Sequence, residues 1–175
     1  MNGTLEQAGE RWRLRFTRRL RHDPETVWRA ITEPDQLKAW FPDHLSGDLV
    51  VGGRLTFSHD SASIPDFHGE VRAIESPLLL EFTWGTDLLR FEIEPNDDGC
   101  TLTLLDTFDE VGKAARDAAG WHVCLDQLAL TLDGGAAPAS SASQEWQNVH
   151  PGYVEAFGPD GSSIGPPEGW DDEAG

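Results

Sequence analysis

Asp106 is the residue in this chain best placed to do polar chemistry. It follows Leu102 and Leu104 at a period of two, so in a strand it shares a face with two leucines. A carboxylate on an apolar face is costly unless paired or hydrogen-bonded, and burial raises its pKa. Two readings follow: an inward polar anchor or acid–base group, or a residue at a strand end that is already wet. His68, His122 and Arg90 are the partners the chain supplies for the first. A second group, His59, Asp60, Asp66, His68 and Glu70, has side chains of metal-ligating types, and His68 and Glu70 share a strand face. It has no recognised ligand spacing, so a solvated outer face is the better reading and no metal is expected. Cys124 lies on the apolar face of a helix, as a small buried apolar residue rather than a nucleophile. No Ser–His–Asp spacing, phosphate loop or dinucleotide fingerprint is present. No cofactor is implied, and catalysis ranks behind binding.

The aromatic residues point to binding. Phe57, Phe82, Trp84, Phe91, Phe108 and Trp121 fall on inward positions of strands and helix. Each alone reads as core, but large rings leave shaped gaps, and a wedge between helix and sheet is a usual binding place. Trp40 and Phe41 follow a short helix and are expected near the mouth. The expected ligand contacts are Trp40, Phe41, Phe57, Phe82, Trp84, Phe91, Asp106, Trp121, Cys124, Leu125 and Leu128.

The elements that must position these side chains are legible from period and punctuation. Over Arg11–Arg21, Trp12, Leu14, Phe16, Arg18 and Leu20 alternate with Arg13, Arg15, Thr17 and Arg19, which predicts a strand with one wet, arginine-lined side. That arginine row reads as a solvated edge that deters strand pairing, ahead of a docking surface for an acidic partner. Asp23-Pro24 is a helix-start signal, and Val27, Trp28 and Ile31 share one helical face. Pro34 ends that helix and opens a second short one carrying Leu37, Trp40 and Phe41. From Leu45 to Phe108 the chain reads as short strands joined by turns, including the hairpin signal Asn96-Asp97-Asp98-Gly99. Ala114, Ala118, Trp121, Leu125, Leu128 and Leu132 then recur at helical spacing, with Gly134 as a C-terminal cap. One long helix after an antiparallel meander buries its stripe across the sheet, an α+β arrangement.

The 175 residues carry 31 acidic and 13 basic side chains, a formal charge of −18. Residues 81–175 hold 19 of the acidic groups and only 3 of the basic ones. That excludes nucleic acid and anionic membrane as main partners. The two cysteines make no disulfide framework, no apolar run is long enough to span a membrane, and the start of the chain lacks a signal-peptide core. A reducing, cytoplasmic setting is expected. Residues 135–175 hold 23 Gly, Pro, Ser or Ala among 41. The expected organisation is an N-terminal extension at 1–10, a domain at 11–134, a linker at 135–143, a short helical extension at 144–158 and an acidic flexible tail at 159–175. Trp146, Val149, Tyr153 and Phe157 sit at helical spacing within that extension, but Pro151 interrupts them, which predicts short turns rather than one helix.

The order of elements, with the stretches Asp23–Thr32, Leu37–Phe41, Gly52–Phe57, Gly69–Val71, Leu80–Trp84, Gly99–Leu104 and Gly120–Leu128, resembles the START-like (SRPBCC) superfamily, in the branch similar to the activator of Hsp90 ATPase. The resemblance spans about residues 11–134. It implies a helix-grip fold: a curved antiparallel sheet wrapped around a long C-terminal helix, with two short helices after the first strand. Members include lipid carriers, hormone receptors, cyclases and co-chaperone domains. The partner so implied is a small hydrophobic molecule, with a chaperone or other protein as the alternative and a cyclase or hydrolase activity behind both; the expected state is monomer or homodimer. One departure stands out. Many relatives have a His near the end of the last strand, where this chain has Asp106.

Overall fold

The computed structural model describes residues 2–136 and 140–166. Strands β1 (Thr4–Ala8) and β2 (Arg11–Leu20) form a hairpin, followed by α1 (Pro24–Thr32) and α2 (Pro34–Leu37). Six strands come next: β3 (His44–Gly47), β4 (Arg54–Ser58), β5 (Phe67–Glu75), β6 (Leu79–Trp84), β7 (Asp87–Asn96) and β8 (Gly99–Phe108). A 3-10 turn at Val111–Lys113 leads into α3 (Ala114–Leu132), and α4 (Ser140–Gly161) closes the described chain. The eight strands make one antiparallel sheet in the order β1-β2-β8-β7-β6-β5-β4-β3. This is the α+β helix-grip arrangement.

Local chemistry explains each element. Asp23 caps α1 by accepting from Thr26 N–H at 2.9 Å, and Pro24 supplies the preset first helical residue. A register shift between Val71 and Ala73 marks a bulge in β5, a feature that bends strands. Gly69 sits just before it, where any Cβ would collide with the Thr83 carbonyl. Gly99 closes the β7–β8 hairpin at φ 147°, a conformation open to glycine. Alternation then sends Leu14, Phe16, Leu80, Phe82, Leu89, Phe91, Leu102 and Leu104 inward, all essentially fully buried.

Some sequence expectations need correction. Residues 1–10 are not merely an extension, because β1 pairs with β2 from Thr4↔Arg15 to Ala8↔Arg11. The five-residue strand is too short to show a clear period. As a result β2 is an interior strand between β1 and β8, and its arginines do not guard an edge: Arg15 reaches Glu6 of β1 at 3.2 Å. Arg18 keeps its inward position and lies 3.2 Å from Asp126 of α3.

The C-terminal extension is longer and more regular than expected. Helix α4 begins at Ser140, inside the stretch read as linker, and continues through Pro151 to a kink at Gly158. Pro151 is exposed, so water can replace the backbone bond it disrupts, while Trp146 and Tyr153 hold the helix to α3 by burial. Ile164 N–H donates to Gly112 carbonyl oxygen at 3.0 Å, so the chain is anchored past 159. Residues 137–139 of the expected linker and 167–175 of the expected tail lie outside the described residues. Among the described residues no helix is long and apolar enough to cross a membrane.

Candidate functional site

Five residues on α3, namely Arg116, Asp117, Gly120, Trp121 and Cys124, share a strip because they recur at three- and four-residue spacing. Trp84 faces them from the end of β6, Pro42 from the segment after α2, and Trp146 from α4. Together they line a half-open pocket of about 160 Å³. The Trp84 and Trp121 ring centres are 5.5 Å apart with planes at 57°, which makes a V-shaped wall. Trp146 stacks on His150 at 4.3 Å.

All three indole N–H groups bond to the protein. Trp84 donates to Asp43 Oδ2 at 2.8 Å, Trp121 to Asp106 Oδ2 at 2.8 Å, and Trp146 to the Arg116 carbonyl oxygen at 3.2 Å. The rings are therefore held in place, and these donors are already satisfied within the protein.

Asp106 stands behind the wall rather than in it. It is 1% exposed, and its Oδ1 has no hydrogen-bond partner among the described residues. Burial first, then the nearby Asp87 charge, pushes its carboxyl up to about 7, against the opposing Trp121 hydrogen bond. Asp106, Asp87 and Asp117 bring one oxygen each to within 4.8 Å of one another. Lys113 is the local counter-charge. It pairs with Asp87, and it lies 3.0 Å from Asp117. Burial works to lower the Lys113 pKa, but Asp117 and Asp87 hold it above the ordinary value. Burial likewise raises the Asp43 carboxyl, with the Trp84 hydrogen bond opposing. Burial pushes the Cys124 thiol up to about 12, which leaves it protonated at neutral pH.

Of the expected contacts, Trp84, Trp121 and Cys124 line this pocket. Phe57, Phe82, Phe91, Leu125 and Leu128 do not; they are closed core. Their rings fill the expected wedge, with Phe57 against Phe82 at 5.9 Å and Phe82 against Phe91 at 6.2 Å. Trp40 and Phe41 are buried as well. Trp40 donates to the Ala30 carbonyl oxygen at 2.9 Å, and Phe41 lies 5.9 Å from Trp121. The pocket lies instead where the end of β6 meets α3 and α4. Sequence reasoning missed Arg116, Asp117, Gly120, Pro42 and Trp146. Helical spacing from Trp121 could have found the first three. Nothing local signals Pro42 or Trp146.

The partners foreseen for Asp106 are engaged elsewhere. Arg90 pairs with Glu81 and Glu92, His68 approaches Thr56, and His122 approaches Tyr153 and Asp126. In the metal-type set, Asp60 pairs with His44 and Glu70 with Arg72, and the three-ligand group found among the described residues is Asp87, Asp106 and Asp117 instead. A second, open groove, also lined by Trp84, contains Asp43, His59, Phe67, Asp87 and Lys113.

The sheet, the helix it grips and the position of the pocket define a START-like protein. Residues 21–133 match the family described as Activator of Hsp90 ATPase homolog 1-like protein, and the chain belongs to that family. The fold is similar to that of a conserved protein of unknown function from Enterococcus faecalis, at 22% identity and a TM-score of 0.74 over 87% of this chain and 88% of the other. It is also similar to CalU16 from Micromonospora echinospora, at 22% identity and a TM-score of 0.69 over 89% of this chain and 94% of the other. A protein from Nitrosomonas europaea matches at 20% identity and a TM-score of 0.62, covering 73% of this chain and 97% of its own. At these identities the likeness is one of fold. No curated protein matches the chain.

Proposed function

We propose that this protein binds a small apolar or amphipathic molecule in the pocket between Trp84, α3 and α4. The observation that carries the reading is a pocket walled by three indoles whose N–H groups are already satisfied within the protein. Such a wall favours carbon over hydrogen-bonding groups. Its size favours one ring or one short branched chain, since a cavity of about 150 Å³ accommodates benzene. Asp106 serves as a positioning residue that holds Trp121, and the buried phenylalanines support the wall from behind. The two free cysteines support a reducing, cytoplasmic setting.

Native mass spectrometry of protein purified gently from its own host tests the reading. A stoichiometric adduct is expected on the wild type and not on Gly120→Leu, in which the new side chain fills the pocket. If the native protein is bare, and calorimetry finds no binding of a small apolar probe such as indole, the reading fails.

The family's description favours a second reading, a protein-interaction role toward an Hsp90-type chaperone. Stimulation of the host chaperone's ATPase by this chain would support it, and an unchanged rate would remove it.

A further inference from the structure

Trp84, Trp121 and Trp146 surround one small space. Indole has the best π face among protein side chains for holding a cation. Two of the three rings donate their N–H to aspartate side chains, Trp84 to Asp43 and Trp121 to Asp106, the second of which is an anion only above about pH 7. A hydrogen bond to an anion pushes electron density into the ring and strengthens the negative potential of its face. The Asp117 carboxylate lines the same pocket and is held 2.9 Å from Arg116 Nε, so the guanidinium in the lining is itself charge-paired. Around the site, Asp43 adds a further carboxylate close behind the wall, while Asp87 is paired with Lys113. The whole chain, at −18, draws cations toward its surface.

We infer that the occupant of this pocket carries a quaternary ammonium group seated against the three tryptophans. The inference rests on the binding reading above and narrows it to amphipathic cations. A primary ammonium has three N–H groups to satisfy. The one carboxylate in the lining, Asp117, already pairs with Arg116 and Lys113. A trimethylammonium head has no donor, presents only methyl groups, and is of a size with the single ring that a pocket of about 160 Å³ accepts.

Choline and its neutral carbon isostere, 3,3-dimethylbutan-1-ol, separate charge from shape. Calorimetric titration of the full chain with each, at low and high salt, is the test. The wild type is expected to prefer choline by about tenfold or more, as desolvated cation–π contacts allow. The preference is expected to survive high salt and to vanish in Gly120→Leu. That variant is suited to fold, because a Cβ at Gly120 meets nothing within 4 Å and leucine is the better helix former. Equal affinity for the two probes overturns the inference and leaves the binding reading standing. A preference lost at high salt assigns the attraction to the acidic surface and overturns it. A preference retained in Gly120→Leu puts the choline elsewhere and overturns it. If neither probe binds the wild type the inference falls, and indole binding then decides whether the binding reading falls with it.

Discussion

Asp106 combines two roles at one atom pair. Oδ2 accepts the Trp121 N–H and fixes a wall of the pocket, while Oδ1 is buried without a partner. A lone buried carboxylate is more stable protonated, and burial pushes this group up to about 7 from an ordinary 3.8. In the folded protein it keeps a proton between those two pH values that the unfolded chain has already lost. Its stabilising contribution is therefore fully present below about pH 4, declines as pH rises toward 7, and is absent above that. Asp106→Asn keeps an oxygen for Trp121 and removes the titration. Urea unfolding at several pH values should show the variant gaining on the wild type from pH 4 to 7, by a few kcal/mol at most. A gap between the two that does not change with pH would show that Asp106 does not carry this proton.

At the scale of elements, the helix-grip core and α4 are joined by a short polar chain. Gly3 N–H donates to the Tyr153 hydroxyl at 3.0 Å, and that oxygen is 2.8 Å from His122 Nδ1 on α3. His122 Nε2 lies 3.3 Å from Asp126, which in turn meets Arg18 of β2. One tyrosine thus ties the residue before β1, helix α3 and helix α4 together. Tyr153 is buried, so removing only its hydroxyl strands the Gly3 donor away from water. Tyr153→Phe is expected to cost about 1–3 kcal/mol by chemical denaturation, and to loosen amide protection in β1 and α4 before the central strands. A variant as stable as the wild type would show that packing alone docks α4.

The whole molecule is held against its own charge. With 31 acidic and 13 basic groups and a pI near 4.4, the folded state at neutral pH concentrates repulsion that the unfolded chain relaxes. Exposed pairs such as Lys38–Asp35 contribute little against this. Added sodium chloride should therefore raise the urea midpoint at pH 8, where screening weakens the repulsion, and have far less effect near pH 4.4. A midpoint that falls with salt at pH 8 would mean that attractive pairs outweigh the net charge.

Amino-acid order alone determined what depends on near neighbours. Period-two runs define β2 and β4–β8, the cap at Asp23-Pro24 starts α1, and the stripe through Trp121, Leu125 and Leu128 defines α3. The helix-grip arrangement follows, because that stripe has one sheet on which to be buried. Tertiary structure decided whatever depends on residues far apart. β1 is a strand because β2 is there to pair with it, and α4 runs through Pro151 because α3 anchors Trp146 and Tyr153. The pocket depends on contacts between residues far apart in the chain: Trp84 meets Asp43 41 positions away, and Trp146 meets Arg116 30 positions away. Aromatic residues advertise an interior by their type. Which of them fill it and which border a space depends on how rings from distant strands fit together, and side-chain volume summed over a fold is not a local property of sequence.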